Sequence, residues 1–180
     1  MSADKTCDEL VDKSVSEINV SLNQNSFLLS MIRELSGALQ DVVGLEDARG
    51  FISIVGGQVG DEIDSSYKKA LSVQKISRKH LSEVLIDFKR RIGGNFKLES
   101  EDDDKIVFTN TLCPYAENVT DRPALCLMTT NVFGRIAANN LGYARVDVAK
   151  SIAAGAQGCR VVVYLNADEG KTGQEYFEVN

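Results

Sequence analysis

At Gly93-Gly94 the hydrophobic period of this chain changes. Before the pair, apolar residues recur at three- and four-residue steps and so share one face of a helix; after it they alternate with polar neighbours, as in half-buried strands. A helical first half followed by an alternating second half confines the chain to an α+β architecture. The expected fold is a set of N-terminal helices followed by a four-stranded antiparallel sheet with one inserted helix.

The elements follow from the pattern. Over residues 10–43, Val11, Val15, Ile18, Leu22, Leu29, Ile32, Leu39 and Val43 form a heptad seam interrupted by Asn25 and Ser36. Two forms fit it: an extended helix that pairs with a second copy, or two helices folded back as a hairpin with Ser26 as N-cap. A second helix carries Ile52, Val55, Val59, Ile63 and Tyr67. A third starts at Ser77, buries Leu81, Val84, Leu85, Phe88 and Ile92, and ends at Gly93-Gly94. Gly56, Gly57 and Gly60 inside the second helix each cost about 1 kcal/mol relative to alanine, which close helix packing is expected to offset. Phe96 and Leu98, an acidic turn at residues 100–104, then Ile106 and Phe108 read as a hairpin. Pro123 opens a helix with Leu125, Met128, Val132, Phe133 and Ile136 inward and Gly142 at its end, and Gly134 within it is expected to permit close packing beneath a cysteine site. Strands at residues 143–148 and 160–165 flank an Ala-Gly-rich segment. The chain thus divides into a helical dimerisation segment (1–44), an α+β domain (45–166) and a C-terminal tail (167–180).

Charge and composition exclude several functions. The net charge of −6, with Glu99, Glu101, Asp102, Asp103 and Asp104 in one run, leaves no basic surface for phosphates, so nucleic acid is not expected as a direct partner. Lys89-Arg90-Arg91 falls at a helix C-terminus, where cations complement the dipole, and reads as a solvated face. The N-terminus has no apolar signal region and no apolar run reaches a membrane span, which predicts a cytoplasmic protein without a membrane partner. His80 is the single histidine, and neither a nucleophile–base pair nor a nucleotide-binding glycine loop is legible, so an enzyme is not expected.

In a reducing compartment the four cysteines read as metal, redox or core residues. Cys113 closes an alternating run, Cys126 lies in the first turn after Pro123, and Cys159 follows a Gly-x-x-Gly turn. Helix N-terminal amides should favour a thiolate at Cys126. Three thiols from three element boundaries can converge, and soft thiolates select zinc or an iron–sulfur cluster. Cys113, Cys126 and Cys159 are therefore the candidate metal ligands.

Cys113-Pro114-Tyr115, the run from Pro123 to Thr129, Asn131-Val132-Phe133-Gly134, Leu141-Gly142-Tyr143-Ala144 and Gly158-Cys159-Arg160-Val161 resemble the methanogen output domain family. That family is similar to vinyl-4-reductase-like sensor domains and, more distantly, to the sensing region of iron–sulfur-cluster repressors. The resemblance implies a sensory or output module of prokaryotic signal transduction that detects a metal, a cluster, a redox state or a small ligand. Those repressors carry a further cysteine between the positions of Cys126 and Cys159, where this chain has none; a fourth ligand would come from Cys7, His80, Glu117, Asp121 or an exogenous molecule. The module is expected to form a homodimer through the seam and to act on a signalling protein such as a histidine kinase or response regulator. The alternative is a carrier of a small apolar molecule whose cysteines only fill the core.

Overall fold

The computed structural model describes residues 15–120 and 122–179. Helix α1 spans Gln24–Val43 and α2 spans Leu45–Leu71, with Gly44 at φ +84° between them. The start of α1 is fixed by a reciprocal cap: Asn23 Oδ1 accepts the Ser26 amide at 2.9 Å, and Ser26 Oγ accepts the Asn23 amide at 3.0 Å. This cap breaks the seam. Residues 18–23 are irregular and preceded by a short 3-10 turn, Val15–Glu17, so among the described residues neither the continuous helix nor the hairpin expected there forms. Val11 lies outside the described residues. Ser26 is the third residue of the helix rather than its cap, and Phe27 and Leu35 are left 57% and 63% exposed.

Helix α3 (Arg78–Arg91) begins at Ser77 as the sequence predicts, although the Ser77 hydroxyl bonds His80 Nδ1 at 2.9 Å rather than a backbone amide. After it come β1 (Lys97–Glu101), β2 (Lys105–Asn110), α4 (Pro123–Leu141), β3 (Tyr143–Lys150), β4 (Cys159–Tyr164) and β5 (Gln174–Phe177). The sheet is antiparallel throughout, in the order β1-β2-β4-β3-β5. It has five strands, one more than expected: the C-terminal tail contributes β5, which pairs Tyr143 with Phe177 and Ala144 with Tyr176. With four residues and only Tyr176 buried, β5 leaves no alternating signal.

One face of the sheet, built from Ile106, Phe108, Ala144, Val146, Val161, Val163 and Tyr176, packs with α3 and α4 around Phe133, whose ring meets Phe96 and Phe108 edge-on at 5.5 and 5.3 Å. Glycines let α2 approach α4. A Cβ on Gly56 would lie 2.6 Å from Asn131 Cβ, and one on Gly60 2.8 Å from Arg135 Cβ, so close packing does account for these two residues, whereas Gly57 faces open space. Gly134 also packs closely, but against the Tyr176 ring of β5 and not beneath the cysteines.

Polar bonds fix how the helices lie on one another. Asp61 on α2 holds Arg135 on α4 through Nε and Nη2 at 2.7 and 3.1 Å. Buried Asn140 accepts the Ile76 amide at 2.6 Å and donates to Asp64 at 2.6 Å and to the Ile136 carbonyl at 2.7 Å. Removing this amide strands a buried carboxylate oxygen and a backbone N–H, each costing its full desolvation. Asn140→Ala is expected to lose about 3 kcal/mol, measured as a lowered urea midpoint at unchanged slope. A loss below about 0.5 kcal/mol would mean that water replaces the amide.

Candidate functional site

Each cysteine is positioned by its own local device. Beyond β2, the Asn95 carboxamide accepts the amides of Thr111 and Leu112 at 3.0 and 2.8 Å and donates to Thr111 Oγ1 at 2.9 Å, which turns the chain toward Cys113. Pro123 starts α4, and Cys126 is its fourth residue. Cys159 opens β4 directly opposite Asn110 in the β2–β4 ladder. The short 3-10 turn Ile152–Ala154 joins the last two: the Ile152 amide donates to Cys159 Sγ at 3.4 Å, and the Ala153 amide and the Ser151 side chain bond the Cys126 sulfur.

All three cysteines therefore line one chamber of about 20 Å³, together with Asn110, Thr129 and Tyr115. This volume admits about one water molecule. Asn110 is 4% exposed, and its Oδ1 has no hydrogen-bond partner among the described residues. Tyr115 and Leu125 form a wall shared with a second, apolar cavity of about 320 Å³ between α1, α2 and α4, bordered by Leu35, Phe51, Val55 and Met128. On the other side, an open surface groove shares Asn110 and Cys159 with the chamber and runs past Thr109 and Gly158.

Beside the chamber, against its lining residues Thr129 and Phe96, stands Lys89, which is not the solvated residue that its neighbours Arg90 and Arg91 suggest. It is 3% exposed, its Nζ donates to Thr129 Oγ1 at 2.8 Å, and it lies 5.0, 5.3 and 5.3 Å from the ring centres of Phe88, Phe96 and Phe133. Burial pushes its pKa down to about 8, against the attraction of Cys113, Cys159 and Cys126 in that order. The expectation for Cys126 is likewise reversed. Burial, reinforced by the neighbouring sulfurs, raises its pKa to about 11 and outweighs the hydrogen bonds from the Ser151 side chain and the Ala153 amide, which favour a thiolate. Burial also raises Tyr115 to about 12.

Among the described residues, no group of three or more His, Cys, Asp and Glu side chains stands in an arrangement that could hold a metal ion. The three cysteines share a chamber without forming a ligand set. His80 is exposed and bonded to Ser77; Cys7, Asp121 and the side chain of Glu117 lie outside the described residues. Sequence reasoning missed Lys89 and Asn110, yet each leaves a signal. Lys89 is four residues after Leu85 and eight after Leu81, inside the apolar stripe, whereas Ile92, expected on that stripe, is exposed. Asn110 continues the inward parity of Ile106 and Phe108.

The methanogen output domain 1 family matches residues 31–164, which include every residue of the chamber. The chain belongs to that family. As an output domain it is, in the general sense, a signal-transduction module. No curated protein matches the sequence. Among solved structures, the phenol-responsive sensory domain of the transcription activator PoxR, determined with phenol, aligns with a TM-score of 0.60 at 15% identity, over 83% of this chain and 78% of that one. This likeness shows a shared fold. A trafficking protein particle complex subunit 3 from Naegleria fowleri, covalently bound to palmitic acid, aligns at a TM-score of 0.45 and 12% identity, over 79% of this chain and 97% of that one.

Proposed function

We propose that this output domain is a sensory module whose input is the chemical state of the cysteine chamber and whose output passes through α1 and α2 to a protein partner. One observation carries the reading: the chamber abuts, across Tyr115 and Leu125, the cavity roofed by α1 and α2. A change of volume or charge at the sulfurs presses on that wall, and the helices beyond it present the exposed apolar side chains of Phe27, Leu35, Phe51 and Ile54. A second copy or a signalling protein would cover them. A zinc ion or iron–sulfur cluster on Cys113, Cys126 and Cys159 is a narrower form of the reading and requires the sulfurs to close on one point.

The cavity between the helices supports the second reading, a carrier of a small apolar molecule. At about 320 Å³ it reaches the lower end of the range for small-molecule sites. The phenol response of the PoxR sensory domain is in keeping with a guest of that kind.

Methylthiolation separates the two readings. Methyl methanethiosulfonate converts each reachable thiol to S–S–CH3, a group larger than the water-sized space available. Amide exchange in α1 and α2 is expected to change at least about tenfold once Cys113, Cys126 or Cys159 is modified, and to stay unchanged in the triple serine variant. Full modification of the chamber without any change in α1 or α2 would leave the cysteines as inert core and the carrier reading in place.

A further inference from the structure

Nucleophiles gather around the chamber. Three cysteines line it, and the amine of Lys89 stands against two of its lining residues, hydrogen-bonded to Thr129 and over the Phe96 ring. Among the described residues Lys89 has no carboxylate partner; the groups that favour its charged form are the three cysteines, Cys113 most strongly. Asn110 Oδ1, buried and unpartnered, offers one hydrogen-bond acceptor at the same place. A surface groove shares Asn110 and Cys159 with the chamber.

Size decides what such a chamber can do. The chamber of about 20 Å³ admits a guest of one or two non-hydrogen atoms. Even at the highest efficiency known for tiny ligands, contacts alone would hold such a guest no better than roughly millimolar. Detection at lower concentration therefore requires a bond. A metal ion has the right size, but among the described residues no three His, Cys, Asp or Glu side chains stand together as a ligand set. The remaining class is a small electrophile, and the pairing of an amine with a thiol selects a carbonyl carbon, which can accept both.

Resting on the sensory reading above, we propose that the chamber captures a one-carbon aldehyde as a methylene bridge between Lys89 Nζ and Cys113 Sγ. The amine adds to the carbonyl carbon to give a carbinolamine, whose hydroxyl can donate to Asn110 Oδ1. Loss of that hydroxyl as water leaves an iminium carbon, and the cysteine sulfur adds to it. One C–N and one C–S bond form, both carbon–oxygen bonds are lost, and the oxygen leaves as water with one proton from the amine and one from the thiol. No oxidant or reductant is needed. Burial supports the first step, because it leaves a share of Lys89 as free amine at neutral pH.

The test is to treat the full chain with one equivalent of formaldehyde, follow the intact mass and map peptides without added reductant. The expected product gains one carbon atom net, in a cross-linked peptide joining Lys89 to Cys113, and its yield falls at least about tenfold in both Lys89→Met and Cys113→Ser. Adducts spread over exposed lysines with no cross-link, or a yield unaffected by both substitutions, would overturn the proposal. Amide exchange of α1 and α2 on the same samples keeps the two readings apart. A missing cross-link together with an intact response to methylthiolation overturns aldehyde capture alone. A cross-link with no change in either helix, and none on methylthiolation, overturns the sensory reading.

Discussion

Replacing Gly134 by alanine is expected to cost about 3 kcal/mol of folding stability, at the upper end of what overpacking by one methyl group usually costs. The added Cβ would lie 2.0 Å from Tyr176 Cδ2 and 2.2 Å from Cε2, far inside contact distance. Relief by rotation of the ring is blocked. Tyr176 is buried in the β5 ladder opposite Ala144, and its hydroxyl donates to Asn131 Oδ1 at 3.0 Å. The edge strand must therefore lift, giving up the burial of the ring and its hydrogen bond, worth about 2–3 and about 1 kcal/mol. Chemical denaturation of the single variants and of Gly134→Ala/Tyr176→Ala measures the coupling. The alanine should be tolerated far better once the ring is gone. A cost below about 1 kcal/mol in the single variant would show that β5 is not seated on α4 in solution.

This contact illustrates what could be read in advance. That Gly134 needed a close neighbour followed from an isolated glycine in a helix interior, but the neighbour lies on a four-residue strand whose pattern carries no period. The same distinction runs through the molecule. The change of period at Gly93-Gly94, Pro123 at a helix start and the alternation over Ile106 and Phe108 are local signals, and α3, α4 and the strands β1 to β4 follow from them. Heptad spacing over residues 10–43 was also local, but the reciprocal cap of Asn23 and Ser26 competes with helix continuation and prevails. At the site, the three cysteines were legible because thiols at element boundaries are conspicuous. Lys89 was not, because two arginines after it and the helix C-terminus supply an adequate reason for charge. Its burial depends on Phe96 and Phe133, which come from other elements.

Lys89 also governs how stability responds to pH. Its pKa is about 8 in the folded chain against 10.5 as the ordinary value, so below pH 8 the folded state carries a buried cation at a cost that the unfolded state avoids. Between about pH 8 and 10.5 the unfolded chain binds more protons, and stability rises with pH. Cys126 acts in the opposite sense. Raised from 9.0 to about 11, it subtracts stability between those values, and Tyr67 and Tyr115, each raised from 10.0 to about 12, do so above pH 10. In the wild-type chain the gain from Lys89 should thus be visible chiefly between pH 8 and 9. Lys89→Met isolates it, because methionine fills the same aromatic cage without a charge while the other titrations cancel in the comparison. The variant should match or exceed the wild type at pH 7, despite losing the bond to Thr129 and the contacts with the rings, and its advantage should shrink by up to about 3 kcal/mol as pH rises from 8 to 10.5. A difference that stays constant across this window would mean that the folded chain already compensates the cation, with a cysteine thiolate as its counter-ion, and that the chamber rests as an ion pair.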